Sequence, residues 1–297
     1  MRVFVTGATG FIGSAIVPEL IGAGHQVLGL ARSEKGAQSL IAAGAEVHRG
    51  DLQDIDSLRR GAAASDGVIH AGFIHDFTRF QEVCEIDRRA IEEMGAELAG
   101  SGRPLVVTSG IALLGNGQHA TENDKRPPGS TNPRGASEDA ADRLADRGIP
   151  VSVVRLSPSV HGEGDHHGFV PMLIKIAREK GIAVYQERLN SWTAVHRLDA
   201  ARLYRLALEK KAAPGVRYHG AAEGVLFQDI VKKIGQHLQV PVEARSQEEA
   251  AQYFGWFAHF AAMDIKASSE QTQESLGWYP ARPGLLEDLE SNIYFSA

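Results

Sequence analysis

Met1-Arg-Val-Phe-Val-Thr-Gly-Ala-Thr-Gly-Phe-Ile-Gly13 is the stretch that decides the fold. A short β-prone run, Val3 to Thr6, leads straight into glycines at 7, 10 and 13, and apolar Ile16, Val17 and Leu20 follow at helical spacing. Strand, glycine turn and helix together are the setting in which Gly-x-x-Gly-x-x-Gly binds phosphate. Gly7 permits the tight turn, Gly10 lets a diphosphate reach the backbone, and Gly13 lets the helix pack close to the strand. The helix N-terminus adds unpaired N–H groups and the positive end of its dipole. The loop therefore predicts a bound dinucleotide, contacted by Gly7, Thr9, Gly10, Phe11, Ile12 and Gly13.

Outward from the loop, strand and helix signals alternate. Strands are predicted over 26–30, 45–48, 67–70, 104–109 and 151–156, and helices over 39–43, 54–64, 80–100 and 132–147. Such alternation marks a parallel sheet covered on both faces by helices, the doubly wound α/β class of Rossmann type. Ligands in that class bind beyond the carboxyl ends of the strands. Pro18 falls inside the first helix, past the turn that carries the phosphate site. After Val160 the pattern changes to amphipathic helices over 169–180 and 198–210, a strand over 216–219, and a mostly helical remainder. We expect a dinucleotide-binding domain, 1–160 with a return segment 195–220. A smaller, mainly helical substrate domain is expected from 161–194 and 221–297.

Composition narrows the function. The 297 residues carry a formal charge of −6, which gives no electrostatic support for a nucleic-acid partner. The single cysteine, Cys84, rules out an internal disulfide. No apolar run reaches the roughly 18 residues that span a bilayer. These features predict a soluble, cytoplasmic protein acting on a small-molecule substrate.

Several segments carry a resemblance to the short-chain dehydrogenase/reductase superfamily in its extended, epimerase and dehydratase form. Thr6-Gly-Ala-Thr-Gly-Phe-Ile-Gly13 resembles its cofactor loop, and Gly50-Asp51-Leu52 its adenine-contacting element. Val68-Ile-His-Ala-Gly72 resembles the strand lining the ribose and diphosphate, which adds Ala71 and Gly72 to the cofactor residues. Val195-His-Arg-Leu-Asp199 and Leu276-Gly-Trp-Tyr-Pro280 resemble two later segments, so the likeness runs along nearly the whole chain. It implies NAD(P) chemistry and a homodimer through the helices 80–100 and 132–147. The second of these helices is rich in charge.

NAD-binding members are expected to end the second strand with an acid that grips the ribose. Here Ala31 takes that place, followed by Arg32 and Ser33, a pair suited to a 2′-phosphate. The expectation is therefore NADP(H) in preference to NAD(H). The resemblance also implies a catalytic tyrosine with a lysine four residues later, and a hydroxyl after the fifth strand. In Pro133-Arg-Gly-Ala-Ser-Glu138, Arg134 stands for the tyrosine and Glu138 for the lysine, and all six tyrosines lie at Tyr185 or beyond. On a helix, residues 134 and 138 are close enough to pair. Arginine is no ordinary acid, since its pKa exceeds about 12. Arg134 is thus a candidate cation for an oxyanion or carboxylate.

Counting back from Gly115 puts Gly110 in the hydroxyl position, with Ser109 one residue away as the candidate. Among twelve histidines, His161 follows the sixth strand and is the candidate proton carrier, ahead of His70, His75 and His196. The run 161–167 lacks helical ligand spacing, so no metal is expected. The first functional reading is an oxidoreductase on a small carbonyl or alcohol with a non-standard proton donor. The alternatives are a lyase, isomerase or dehydratase with a retained cofactor, and an NADP(H)-sensing binding protein.

Overall fold

The computed structural model describes residues 1–115, 117–210, 213–291 and 293–295. Its strands are β1 (Arg2–Thr6), β2 (Gln26–Ala31), β3 (Glu46–Arg49), β4 (Gly67–His70), β5 (Leu105–Gly110), β6 (His119–Ala120), β7 (Val151–Leu156), β8 (Ser159–His161), β9 (Ala183–Gln186), β10 (Ser191–His196), β11 (Val216–Gly220), β12 (Glu223–Leu226), β13 (Val242–Arg245) and β14 (Lys266–Ala267). The helices are α1 (Gly13–Gly22), α2 (Glu34–Ala42), α3 (Ile55–Ala63), α4 (Phe80–Glu97), α5 (Ala136–Asp146), α6 (Phe169–Lys180), α7 (Arg197–Glu209), α8 (Phe227–Leu238), α9 (Gln247–Phe254), α10 (Ala258–Ala261), α11 (Glu270–Leu276) and α12 (Leu285–Glu290).

Seven strands form one parallel sheet in the order β3-β2-β1-β4-β5-β7-β11. The order reverses between β1 and β4, and a crevice opens at such a switch point. The central strands read as continuous apolar runs because both faces are covered. On one face α1 and α7 pack with Ile16, Leu20, Leu203 and Leu208. On the other, α3, α4 and α5 contribute Leu58, Ile91, Met94 and Leu144. Trp278 joins the first of these cores from far along the chain and donates its indole N–H to the Asp199 carbonyl at 2.9 Å. The doubly wound expectation is met.

A second core, apart from the sheet, gathers α6, α8, α9 and α12 around Trp192, Phe227, Ile230 and Phe257. This region is mainly helical. It also carries short strand pairings, β12-β10-β8 and β13-β9, which are too brief to register as periodicity.

Two helix starts differ from the sequence reading. α2 begins at Glu34 because Ser33 caps it, accepting the Gly36 N–H at 3.1 Å. The predicted helix 132–147 divides into a 3₁₀ turn, Pro133–Gly135, and α5. Asn132 caps that turn through the Arg134 N–H at 3.1 Å. Pro18 lies within α1, which continues past it.

Candidate dinucleotide site and active-site cleft

The glycine loop sits at the switch point. Gly7 has φ +66°, and a Cβ there would lie 2.6 Å from the Ala71 carbonyl oxygen. A Cβ on Gly13 would lie 2.0 Å from the Gly7 carbonyl oxygen, so helix and turn meet only because both residues are glycine. A Cβ on Gly10 would face only the Gly7 carbonyl, at 3.2 Å, so its outer side stays clear. No side chain caps α1 and no acid occupies its first turn. Among the described residues the Phe11 and Ile12 N–H groups find no acceptor. This cradle fits a diphosphate, as the sequence implies.

The remaining cofactor candidates line the same edge. Leu52 packs beside Gly72, and the Gly72 N–H donates to Thr6 Oγ1 at 3.2 Å. Asp51 accepts the Gln53 and Asp54 N–H groups through Oδ1, at 2.7 and 3.2 Å, which orders the turn at that position. Thr9 lies against Gly36 near the start of α2. Arg32 is exposed and forms no ion pair among the described residues.

Arg134 is held from behind by a buried polar chain. Its Nη1 donates to Asp87 Oδ2 at 3.0 Å and to Ser137, and its Nη2 donates to the Thr108 carbonyl at 3.0 Å. Ser137 donates to the same Asp87 oxygen. The other Asp87 oxygen bonds His70 Nε2 at 3.0 Å, and His70 Nδ1 bonds Thr6 Oγ1 at 2.7 Å. Asp87 is 1% exposed. Burial alone would raise its carboxyl pKa, but Arg134 and the His70 bond outweigh that and hold it below the usual carboxylate range. The guanidinium lies 4.4 Å over the Phe73 ring. Of five N–H donors, Nε–H and one on Nη2 have no acceptor among the described residues.

Glu138 does not pair with Arg134. It is 2% exposed and receives Arg155 in a two-pronged bond, Nε to Oε1 at 2.9 Å and Nη2 to Oε2 at 2.8 Å. Ser109 also donates to its Oε1, at 2.7 Å. Burial pushes Glu138 up, Arg155 and Ser109 push it down, and the net effect is a lowered pKa. Ser109, a candidate for the reaction, and Glu138, expected to be able to pair with Arg134, therefore both face the seam between β5 and β7. Thr108 is likewise turned inward, donating to the His70 carbonyl at 2.8 Å and bonded to Tyr204 at 2.7 Å.

The histidines separate into two groups. His161 is 1% exposed, bonded to Asp288 at 2.6 Å and edge-on to His196 at 5.5 Å. The loop after it is tied to the second core, where the Tyr294 hydroxyl accepts the Gly162 N–H at 3.2 Å and donates to Asp165 at 3.1 Å. His75 lies instead on the loop after β4, edge-on to Phe73 at 5.3 Å and next along to Phe77. Desolvation and the nearby Arg134 lower its pKa below the ordinary 6.5. Phe77 continues the row of rings to Trp256 at 6.4 Å and Phe260 at 6.1 Å, so this loop meets the second core across the cleft.

Asp87 is the residue the sequence reading missed. Its signal was a lone acid within the buried stripe Val83, Asp87, Ala90, Met94 of α4.

A parallel sheet with a glycine cradle at its switch point and a polar cluster beside it defines a Rossmann-type dinucleotide-binding enzyme. The model of the NAD dependent epimerase/dehydratase family matches residues 3–219, and the chain belongs to that family. It is 47% identical to an uncharacterized protein of Schizosaccharomyces pombe, over 99% of this chain and 100% of the relative. It is 45% identical to one of Saccharomyces cerevisiae, over 98% and 99%. A UDP-glucose 4-epimerase of Streptomyces lividans is 27% identical, over 96% and 93%.

Among solved structures, MoeE5 in complex with UDP-glucose and NAD superposes with a TM-score of 0.76 at 23% identity, covering 99% of this chain and 97% of that one. The UDP-glucose-4-epimerase from Stenotrophomonas maltophila with bound NAD gives 0.77 at 16% identity, covering 99% and 97%. The dTDP-glucose 4,6-dehydratase from Streptomyces venezuelae with NAD gives 0.77 at 18% identity, covering 98% and 97%. These structures correct the expected preference for NADP(H): each holds NAD. Local geometry agrees with the correction. The Ser33 oxygen is engaged in capping α2, and Glu34 follows with its carboxylate 2.5 Å from Arg49. Glu34 is the first residue of α2, three positions past the end of β2, and it pairs with Arg49 and not with Arg32. Among the described residues no helix is long and apolar enough to cross a membrane.

Proposed function

We propose that the chain is an NAD-dependent oxidoreductase that interconverts a small carbonyl compound and its alcohol, with Arg134 binding the substrate oxygen. The observation that carries this reading is the fixing of Arg134. It takes the position where the resemblance implies tyrosine, is anchored by Asp87, Ser137 and the Thr108 carbonyl, and keeps two N–H donors. NAD, when bound, supplies hydride exchange at its nicotinamide. Arg134 does not release a proton, so it stabilises charge on the oxygen without protonating it.

The proton moves at His75 in this reading. Among His70, His75, His161 and His196, His75 lies on the loop beside Arg134, partly covered and partly open to solvent, whereas His161 is buried against Asp288. Neutral His75 accepts the alcohol proton during oxidation, and its imidazolium returns it during reduction. Because its pKa lies below 6.5, the neutral form predominates at pH 7. Oxidation is therefore expected to fall only in acid, and reduction to fall as pH rises through the His75 pKa. His75→Gln should remove that pH dependence and lower turnover about 100-fold. An unchanged profile in the variant excludes His75.

A second reading, epimerisation with the cofactor retained, is favoured by likeness to the Streptomyces lividans epimerase along 96% of the chain. Incubating the protein with NADH and a panel of carbonyl compounds, while following nicotinamide absorbance, separates the two. Net consumption of NADH supports oxidoreduction, and product formation without it supports epimerisation. Tight NADH binding with no conversion of any compound rejects both.

A further inference from the structure

The N-termini of α1 and α7 lie side by side at the carboxyl edge of the sheet, because the two helices run parallel. Arg205 pairs with Glu19 at 2.7 Å, and eight residues earlier in α7 Arg197 donates at 2.8 Å to the hydroxyl of Ser14, five residues before Glu19 in α1. Arg197 is the first residue of α7. Its guanidinium lies 4.8 Å from the centre of the Phe11 ring, inside the glycine loop, and also donates to the Glu163 carbonyl. Two glycines clear its path. A Cβ on Gly162 would lie 3.1 Å from Arg197 Cγ, and one on Gly164 would lie 3.1 Å from its Nη1.

Arg197 forms no ion pair among the described residues, and its Nε is buried without a hydrogen-bond partner. The acids whose charge reaches Arg197, Glu163 and Asp165, have other contacts or stay apart. Asp165 binds the Gly168 N–H at 2.8 Å and Tyr294, and Glu163 meets Arg197 through its backbone carbonyl only. A half-buried cation with an unsatisfied donor, seated on a loop built for phosphate, lacks only an anion.

We propose that Arg197 is a diphosphate-binding residue. It supplies from α7 the positive side chain that the glycine loop itself lacks, and it clasps the dinucleotide between the loop and the segment 162–165. This rests on the reading that NAD occupies the cradle. The loop N–H groups hold the phosphates by hydrogen bonds, and Arg197 adds charge and a planar fork of donors on the open side. Closing on the ligand also satisfies the Nε–H.

The test measures binding of NADH, ADP and adenosine to the full chain over a range of salt. It compares wild type with Arg197→Met, Arg197→Gln and Arg197→Lys, with melting temperature as the check on folding. Met and Gln are expected to weaken NADH and ADP about tenfold, which is about 1.4 kcal/mol, to leave adenosine unchanged and to flatten the salt dependence. Lys should retain part of the affinity. NADH affinity in Arg197→Gln equal to wild type overturns the proposal and leaves Arg197 as a link to Ser14. So does equal loss of adenosine and ADP, which signals a collapsed loop. Wild type that fails to bind NADH overturns both this inference and the oxidoreductase reading. Wild-type binding with unaffected variants overturns this inference alone.

Discussion

Glu138→Lys, which restores the residue the superfamily resemblance implies, is expected to unfold the protein and not to revive a familiar active site. The new ammonium would sit among Arg155, 1% exposed, and Arg217, whose Nε is 3.8 Å from a Glu138 oxygen. Removing one partner of a buried pair costs about 3–5 kcal/mol, and adding a like charge costs more. Against a typical stability of about 5–15 kcal/mol, little folded protein would remain. Glu138→Gln should lose about 3 kcal/mol in urea unfolding, and Glu138→Leu with Arg155→Met should recover most of that loss. The pair also sets an acid limit. Its carboxyl pKa is lowered on folding, so its contribution is complete above the unfolded Glu value, about 4.3, and disappears as pH falls through the lower folded value. A Glu138→Lys protein as stable as wild type would refute this account of the seam.

Arg134→Met should reduce kcat/KM by about 100- to 1,000-fold, the usual consequence of removing a charge-stabilising donor. It should also destabilise the fold by about 3 kcal/mol, because Asp87 then stays buried without its chief cation. The two effects can be separated. Combining Arg134→Met with Asp87→Asn removes the stranded charge, so melting temperature should recover while activity does not. Arg134→Lys should fold and remain impaired, since an ammonium cannot reach Asp87, Ser137 and the Thr108 carbonyl in one plane. Full activity in Arg134→Met would reject the proposed role, and recovery of both properties in the double variant would reduce Arg134 to a structural partner.

The parts of the molecule written in local pattern were legible from sequence. β4 and β7 begin and end where the apolar runs do, and α6 spans its predicted 169–180. The glycine loop was legible because turn, strand and helix are adjacent in the chain. Partnerships across distance were not. Arg134 and Glu138 stand four apart and suggested each other. Packing of α5 over β5 and β7 sent them to Asp87, 47 residues away, and to Arg155, 17 residues away. A hint was nevertheless present in Val151-Ser-Val-Val-Arg-Leu156, where one cation interrupts a strand buried throughout. Such a residue demands a buried acid, although the sequence does not say which one. The cofactor preference failed for a related reason. In sequence Arg32 and Ser33 resemble a phosphate grip, whereas in the fold Ser33 serves as a helix cap.

The place of β11 at the end of the sheet has a consequence for how the chain must be made. β7 is buried along its whole length, yet the strand that covers its outer side, β11, arrives only after the excursion through α6, β10 and α7. During synthesis the ribosome releases a sheet with a bare, apolar flank long before its cover emerges, and Trp278 reaches the first core later still. Unpaired apolar edges of this kind invite association between nascent chains. Residues that look peripheral in sequence thus act as the closing clasp of the nucleotide-binding half, and chaperone demand should be concentrated in the interval before residue 220.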